Sequence, residues 1–348
     1  MYEKIKLTEI LLEITSKCNL NCLHCFNRPN DDNSDMSLNN IFNIIDKCLK
    51  YDPEKIVLSG GEPFVHPEIK DIIVNCKKYP DVKFSLTTNG LLLNKEFIEL
   101  IRSIPNIEIQ ISIDGTTKEI YEAIRGENTF ARFKKGFILL ANSKVKNLLA
   151  RTCVTKANYK NIEEIYKLAV NNRMHPSFIF MSPQGNAKEH FENLNLSLAQ
   201  KIHVIDTINR LNEIFNRNVS PPTVANTCDF AEDWERKALY VKANGAVCPC
   251  QYYYDDDVTI GNILESDLEQ IFNYDNLKDL YIAGKKRKEM LSKTTKCTEC
   301  KLYPTCGMGC MGLARIVGNM MGFDGECELK IMTEACYANK FIKMKKEY

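Results

Sequence analysis

Three cysteines in the run Thr15-Ser-Lys-Cys-Asn-Leu-Asn-Cys-Leu-His-Cys-Phe26 supply three thiolates at CxxxCxxC spacing: Cys18, Cys22 and Cys25. A four-iron cluster takes four ligands, so a loop that offers three leaves one iron open to an outside molecule. An open iron points to chemistry rather than storage. The competing reading is a structural zinc loop. Zinc loops, however, usually build four ligands from paired CxxC units, and His24, flanked by Leu23 and Cys25, is poorly placed to wrap the same ion as its neighbour.

A second cysteine series occupies the C-terminal third. Cys297, Cys300, Cys306 and Cys310 form CxxCx5CxxxC, and Cys327 follows. Cys228 and the Gly245-Ala-Val-Cys-Pro-Cys250 step, with Cys248 and Cys250, come before. A compartment that keeps thiols reduced makes such clusters metal ligands before disulfides. The other four of the fifteen cysteines, Cys48, Cys76, Cys153 and Cys336, stand alone in apolar or helical surroundings and read as buried packing.

The rest of the composition narrows the function classes. Lys plus Arg number 46 against 45 Asp plus Glu, so no global field favours nucleic acid, and Lys285-Lys-Arg-Lys288 reads as a solvated helix face. The first residues lack the apolar run and cleavage site of a signal peptide, and no stretch approaches the about twenty apolar residues of a membrane span. A cytoplasmic protein is expected. At 348 residues the chain exceeds one average domain.

Short apolar or alternating runs at 9–15, 55–59, 83–88, 107–113, 148–154 and 177–181 predict strands. Helical spacing at 38–49, 95–104, 130–141 and 162–170 falls between them, which makes six β/α units on a parallel sheet. Ser37 is placed to cap the first helix, and Pro67 to open another. In such folds ligands gather at the C-terminal ends of the strands, where the first cysteine loop falls. The polar stretch 185–195 reads as a linker, followed by a bridging helix over 198–215 and a Pro221-Pro222 break. The expected units are a barrel at 1–190, a bridge at 191–225 and a cysteine-rich domain at 226–348.

The next motifs fall at the same ends of successive strands. Ser59-Gly60-Gly61-Glu62-Pro63 follows the second, Thr87-Thr88-Asn89-Gly90 the third, Ser112-Ile-Asp114-Gly115 the fourth, and Met181-Ser-Pro-Gln-Gly185 the sixth. The glycine pair allows close backbone approach, and the carboxylate can accept from an ammonium group. Together with the CxxxCxxC loop, this set resembles the radical S-adenosylmethionine (SAM) superfamily. That resemblance implies an open (β/α)6 partial barrel and a [4Fe-4S] cluster whose free iron binds SAM. It places His24 near the adenine, Gly60, Gly61 and Glu62 at the amino group, and Asn89, Ser112, Asp114 and Gly185 around the cofactor. Arg125, in Ile124-Arg-Gly126, is placed to pair with SAM's carboxylate through its planar fork; a plain surface Arg on a helix is the alternative.

The C-terminal series, with Gly261-Asn-Ile263, resembles the SPASM extension, which carries two auxiliary iron-sulfur clusters. The resemblance then spans nearly the whole chain. It assigns Cys297, Cys300, Cys306 and Cys327 to an outer cluster and Cys228, Cys250 and Cys310 to an inner one. The inner cluster is then one ligand short: Cys248 completes it, or one iron stays open. The implied activity is hydrogen abstraction by a 5′-deoxyadenosyl radical from a peptide or protein side chain, giving a crosslink or a dehydrogenation. The auxiliary clusters would take up the second electron. The same chemistry on a sugar, aminocyclitol or tetrapyrrole is the alternative, and a non-catalytic iron-sulfur electron-transfer protein is the third reading. Gln251 and His24 depart from the pattern of sulfatase-maturing members. The partners implied are a peptide or protein substrate, an external flavodoxin or ferredoxin as electron donor, and a separate leader-binding protein or the barrel surface for any leader.

Overall fold

The computed structural model describes residues 5–27, 33–222, 236–254, 258–273, 275–300, 309–323, 327 and 329. Cys228 and Cys306 therefore lie outside the described residues. Six parallel strands alternate with helices: β1 (Lys6–Thr15), β2 (Lys55–Gly60), β3 (Phe84–Thr88), β4 (Ile107–Ser112), β5 (Leu148–Val154) and β6 (His175–Phe180). Between them run α1 (Leu38–Leu49), α2 (Ile69–Asn75), α3 (Lys95–Arg102), α4 (Lys118–Arg125), α5 (Phe130–Ala141) and α6 (Ile162–Asn171).

Local sequence explains these elements. In β4, Ile107, Ile109 and Ile111 are buried under the helices, while Glu108, Gln110 and Ser112 turn a less buried face to the lumen; β5 repeats the alternation with Arg151 and Cys153 on the lumen side. Helix α1 buries Ile41, Ile44, Ile45 and Cys48 on one stripe, and the Ser37 hydroxyl accepts from Asn40 N at 3.2 Å at its start. Pro67 precedes α2, which opens at Ile69.

The sheet does not end with the sixth unit. β7 (Arg236–Val241) pairs in parallel with β1, and β8 (Ala246–Cys248) and β9 (Gly261–Asn262) continue antiparallel, in the order β6-β5-β4-β3-β2-β1-β7-β8-β9. The cysteine-rich segment thus grows out of the barrel's own sheet at β1, the strand that carries the first cysteine loop. β6 and β9 remain as edges, so the sheet curls without closing.

The expected linker at 185–195 is instead a helix, α7 (Gly185–Leu194), followed by α8 (Leu198–Phe215) with a Ser197/Gln200 capping box. Only Ala187 of α7 is buried, so the sequence carries little apolar periodicity. Tertiary docking compensates: Asn186 N donates to Asn27 O at 3.2 Å and Ala187 N to Cys25 O at 3.0 Å. The remaining helices are α9 (Leu268–Phe272), α10 (Asp275–Ser292), α11 (Thr295–Thr298) and α12 (Met311–Ile316). Among the described residues no helix is long and apolar enough to cross a membrane.

Candidate functional site

The CxxxCxxC loop leaves the C-terminal end of β1 and is clamped from both sides. On one side Gly61 N donates to Thr15 O and Glu62 N to Lys17 O, both at 2.9 Å. On the other, Ser16 N donates to Ser34 O at 2.9 Å, the Thr15 hydroxyl donates to Asp35 at 2.6 Å, and Lys17 pairs with the same carboxylate. The glycine pair is required by this docking. A Cβ on Gly60, whose φ is +138°, would stand 2.0 Å from Thr15 O, and one on Gly61 would stand 2.2 Å from Lys17 O. A third clamp comes from α7, where a Cβ on Gly185 would lie 2.4 Å from the carbonyls of Phe26 and Asn27. Gly60, Gly61 and Gly185 thus hold the cysteine loop through backbone contact.

Cys22 is buried, and Cys18 and Cys25 are partly so. Burial pushes the Cys18 and Cys25 thiols up to about 12, and the other thiols of the loop add to the rise. Burial likewise raises Cys22, with the Arg125 guanidinium opposing. Cys22 raises both other thiols and Cys18 raises Cys25, so the three lie within electrostatic reach of one another. Among the described residues, no three His, Cys, Asp or Glu side chains converge as a single metal ion needs, whereas a four-iron cluster spreads its thiolates over separate corners.

Glu62, 1 % exposed, accepts from Phe64 N at 3.2 Å, the Thr88 hydroxyl at 2.8 Å and Asn89 N at 2.7 Å. Burial nevertheless raises it to about 7. Its surroundings orient a carboxylate without giving it a cation in contact among the described residues. Asn89 also donates through Nδ2 to Asn19 Oδ1 at 2.7 Å, leaving Asn19 Nδ2 buried with no hydrogen-bond partner. Asn19 was not singled out from the sequence; its place between two cluster cysteines was the available signal.

Asp114 is fully buried and committed. Its Oδ2 accepts from Arg125 Nε at 2.6 Å and lies 2.7 Å from His24 Nε2, while Oδ1 accepts from Cys153 N at 3.0 Å. The carboxyl is held well below the usual range by Arg125 and His24, against burial, which acts the other way. Arg125 closes α4 and is 8 % exposed, so it is no surface arginine; its Nη1 donates to Cys22 Sγ at 3.8 Å. Ser112 ends β4, half-buried on the lumen face. Tyr121 Oη, on α4, is buried without a hydrogen-bond partner and lies within electrostatic reach of Arg125, Asp114, Cys22 and Glu62.

Tyr252 lies two residues after Cys250, and burial with the thiols of Cys310, Cys250 and Cys153 pushes its phenol up. Cys153, read from sequence as packing, is partly buried and lies within electrostatic reach of Asp114, Arg125 and Cys25. An isolated cysteine on a strand carries no sequence mark of that position. Cys248 is buried on β8 opposite Tyr240. Cys297 lies on α11 and packs with Leu291 and Phe323; Cys300 and Cys327 are partly exposed.

The two halves meet through Phe26, Tyr240 and Tyr254, whose rings are edge-on to one another with centroids 5.2–6.3 Å apart. Asn27 Nδ2 donates to the Tyr240 hydroxyl at 3.2 Å.

The residues present fit the groups that the resemblance implies. Three grouped thiols suit a cluster, a buried carboxylate without a contacting cation suits an ammonium, and the orphaned Asn19 Nδ2 and Tyr121 Oη await acceptors in the same region.

The comparisons agree. The radical SAM superfamily model matches residues 12–169, and the iron-sulfur cluster-binding domain model matches residues 228–301. The chain is 25 % identical to the mycofactocin maturase MftC of Mycobacterium ulcerans, over 90 % of this chain and 86 % of that protein. It is 26 % identical to the antilisterial bacteriocin subtilosin biosynthesis protein AlbA of Bacillus subtilis, over 86 % of this chain and 66 % of that protein. The same fold is seen in anSMEcpe with bound AdoMet and Kp18Cys peptide, with a TM-score of 0.77 at 19 % identity, over 98 % of this chain and 100 % of that one. It recurs in Streptococcus suis SuiB bound to S-adenosylmethionine, with a TM-score of 0.72 at 19 % identity, over 92 % of this chain and 76 % of that one.

Proposed function

This chain belongs to the radical SAM superfamily and carries a C-terminal SPASM domain, and from that premise we propose that it oxidises a side chain of a peptide or protein, forming a crosslink or a dehydrogenated product. The observation that carries the reading is that the cysteine loop and the segment after Cys250 are packed together: the Phe26 ring, next to Cys25, lies edge-on to Tyr254, and Gln184 of the last barrel loop donates to Gln251 O at 3.0 Å. The maturase and bacteriocin relatives support a peptide as the substrate class.

When bound, the cluster and SAM together supply a 5′-deoxyadenosyl radical that takes a hydrogen atom from substrate. The chain's own residues bind and orient. Cys18, Cys22 and Cys25 hold the cluster; Glu62 accepts the ammonium of SAM, with Thr88 and Asn89 fixing its carboxylate; Asn19 donates to a cofactor oxygen or ring nitrogen. Asp114 fixes His24, whose other ring nitrogen is left for the adenine side, and Ser112 lines the same mouth. Arg125 reaches Asp114 through Nε and Cys22 through Nη1, and its five-donor guanidinium keeps further N–H groups to meet SAM's carboxylate.

Cys250 and Cys310 hold the inner auxiliary cluster with Cys228, and Cys297, Cys300, Cys306 and Cys327 hold the outer one. Cys248 is the candidate for the remaining inner position. A flavodoxin or ferredoxin supplies the first electron, and a separate leader-binding protein or the barrel surface holds any leader. All cysteines among the described residues are free thiols, which suits the cytoplasm.

The test is anaerobic incubation of reconstituted, dithionite-reduced protein with SAM. Wild-type protein is expected to release 5′-deoxyadenosine, and Cys22→Ala to release none. SAM left intact by fully loaded protein would move the reading to a non-catalytic iron-sulfur protein.

A further inference from the structure

We propose that Arg125 tunes the reduction potential of the cluster held by Cys18, Cys22 and Cys25 through a hydrogen bond from its guanidinium to the Cys22 sulfur, and that Asp114 is the residue that aims it. The inference rests on the cluster reading above but assigns Arg125 a role toward the metal site rather than toward SAM.

The geometry is specific. Arg125 Nη1 lies 3.8 Å from Cys22 Sγ, within reach for a sulfur acceptor, and both side chains are buried. Arg125 Nε is tied to Asp114 Oδ2 at 2.6 Å. Because the guanidinium is planar, fixing Nε leaves Nη1 a single arc to sweep, and Cys22 lies on it. Asp114 cannot swing away. It is fully buried, Oδ1 is held by Cys153 N at 3.0 Å, and Asn158 Nδ2 donates to its backbone carbonyl at 3.1 Å. The loop is pinned to the same helix end by Leu23 N, which donates to Ile124 O at 3.0 Å.

Hydrogen bonds to cluster sulfurs, together with burial and local charge, set the potentials of iron-sulfur centres. Each added electron makes the cluster more negative, so a buried guanidinium donating to a ligand thiolate favours the reduced state. The consequence is a cluster that an ordinary low-potential donor can reduce. His24 shares the carboxylate that aims Arg125, so a ligand that contacts His24 is mechanically joined to Cys22 through three hydrogen bonds. The surface-arginine alternative does not account for a cation held among a thiol, a carboxylate and the backbone of the cluster loop.

The experiment is an EPR-monitored redox titration of reconstituted protein, following the signal that is absent from the Cys18, Cys22 and Cys25 to Ala variant and so belongs to the open-iron cluster. Arg125→Lys keeps a cation for Asp114 but loses the second arm of the fork. A second variant, Arg125→Met with Asp114→Asn, removes both charges together and leaves the net charge of the site unchanged. Each is expected to assemble that cluster with a more negative midpoint. At the wild-type midpoint the reduced-to-oxidised ratio falls about tenfold, which is about 59 mV for one electron. An unchanged midpoint in either assembled variant overturns the inference and leaves the cluster reading standing. Wild-type protein with no signal that depends on the three cysteines overturns both.

Discussion

Gln184 Nε2, in the loop after β6, donates to the backbone carbonyl of Gln251 at 3.0 Å, tying the last barrel loop to the residue that follows Cys250. With the ring cluster of Phe26, Tyr240 and Tyr254, this bond makes the cysteine loop and the auxiliary-cluster segment parts of one rigid mouth. Lys242 adds its ammonium over the Tyr254 ring at 4.4 Å. Tyr254→Ala is expected to destabilise the protein by about 1–2 kcal/mol, below the range for a fully buried aromatic ring because Tyr254 is partly buried, and to lower iron content at the inner auxiliary site while the first cluster still assembles. Iron per chain and a denaturant titration check both.

Glu62 makes stability depend on pH. Burial raises it from 4.5 to about 7, so between those values the folded chain holds a proton that the unfolded chain has released. The ligand-free protein therefore loses stability as pH rises through that window, by at most about 1.4 kcal/mol per unit. Glu62→Gln is expected to flatten this dependence in denaturant titrations at about pH 5 and about pH 8. Equal slopes for wild type and variant would contradict the assignment. Since an ammonium ligand favours the ionised carboxylate, SAM binding near neutral pH is expected to release a proton, detectable by calorimetry in buffers of different ionisation enthalpy.

A methyl group at Gly61 would meet Lys17 O at 2.2 Å, a backbone atom that cannot turn aside. Gly61→Ala is expected to cost about 1–3 kcal/mol as overpacking and to move the cysteine loop off β2. Loss of the Cys18, Cys22 and Cys25 cluster, read as reduced iron with the auxiliary clusters retained, is the expected result. A fully loaded variant of wild-type stability would refute the docking argument.

Asn19 Nδ2 is a buried donor without a partner. Asn19→Ala removes an unsatisfied donor but also the Oδ1 that accepts from Asn89 Nδ2, so the ligand-free protein should lose about 1 kcal/mol of stability. SAM affinity is expected to fall about tenfold, matching one lost hydrogen bond of about 1.4 kcal/mol. Lost stability with affinity kept would make Asn19 a structural residue.

The strands and the helices 38–49, 130–141 and 198–215 were legible because their apolar spacing is local and strong. So were Cys18, Cys22, Cys25 and the Gly60-Gly61-Glu62 turn, whose chemistry is written in residue type and spacing. What the sequence hid depends on partners far apart in the chain. The burial of Arg125, the commitment of Asp114 to Arg125 and His24, the orphaned Asn19 and the placement of Cys153 near the cysteine loop all arise from juxtaposition across strand ends. Helix α7 was hidden for a related reason. Only Ala187 of it is buried, and its docking partner is the cysteine loop about 160 residues earlier. The continuation of the sheet through β7 was equally invisible, because nothing in residues 236–241 names β1 as the strand they pair with.

Oxidation of a peptide side chain is the activity proposed for this chain. The most direct measurement is the mass of a short peptide encoded beside this gene, co-produced anaerobically with this protein, against the Cys18, Cys22 and Cys25 to Ala variant. The account predicts a peptide lighter by two hydrogens that appears only with the three cysteines intact, and fragmentation then locates the bond. An unchanged peptide, with SAM still cleaved by the purified protein, would contradict the peptide assignment and turn the search to a small-molecule or larger protein substrate.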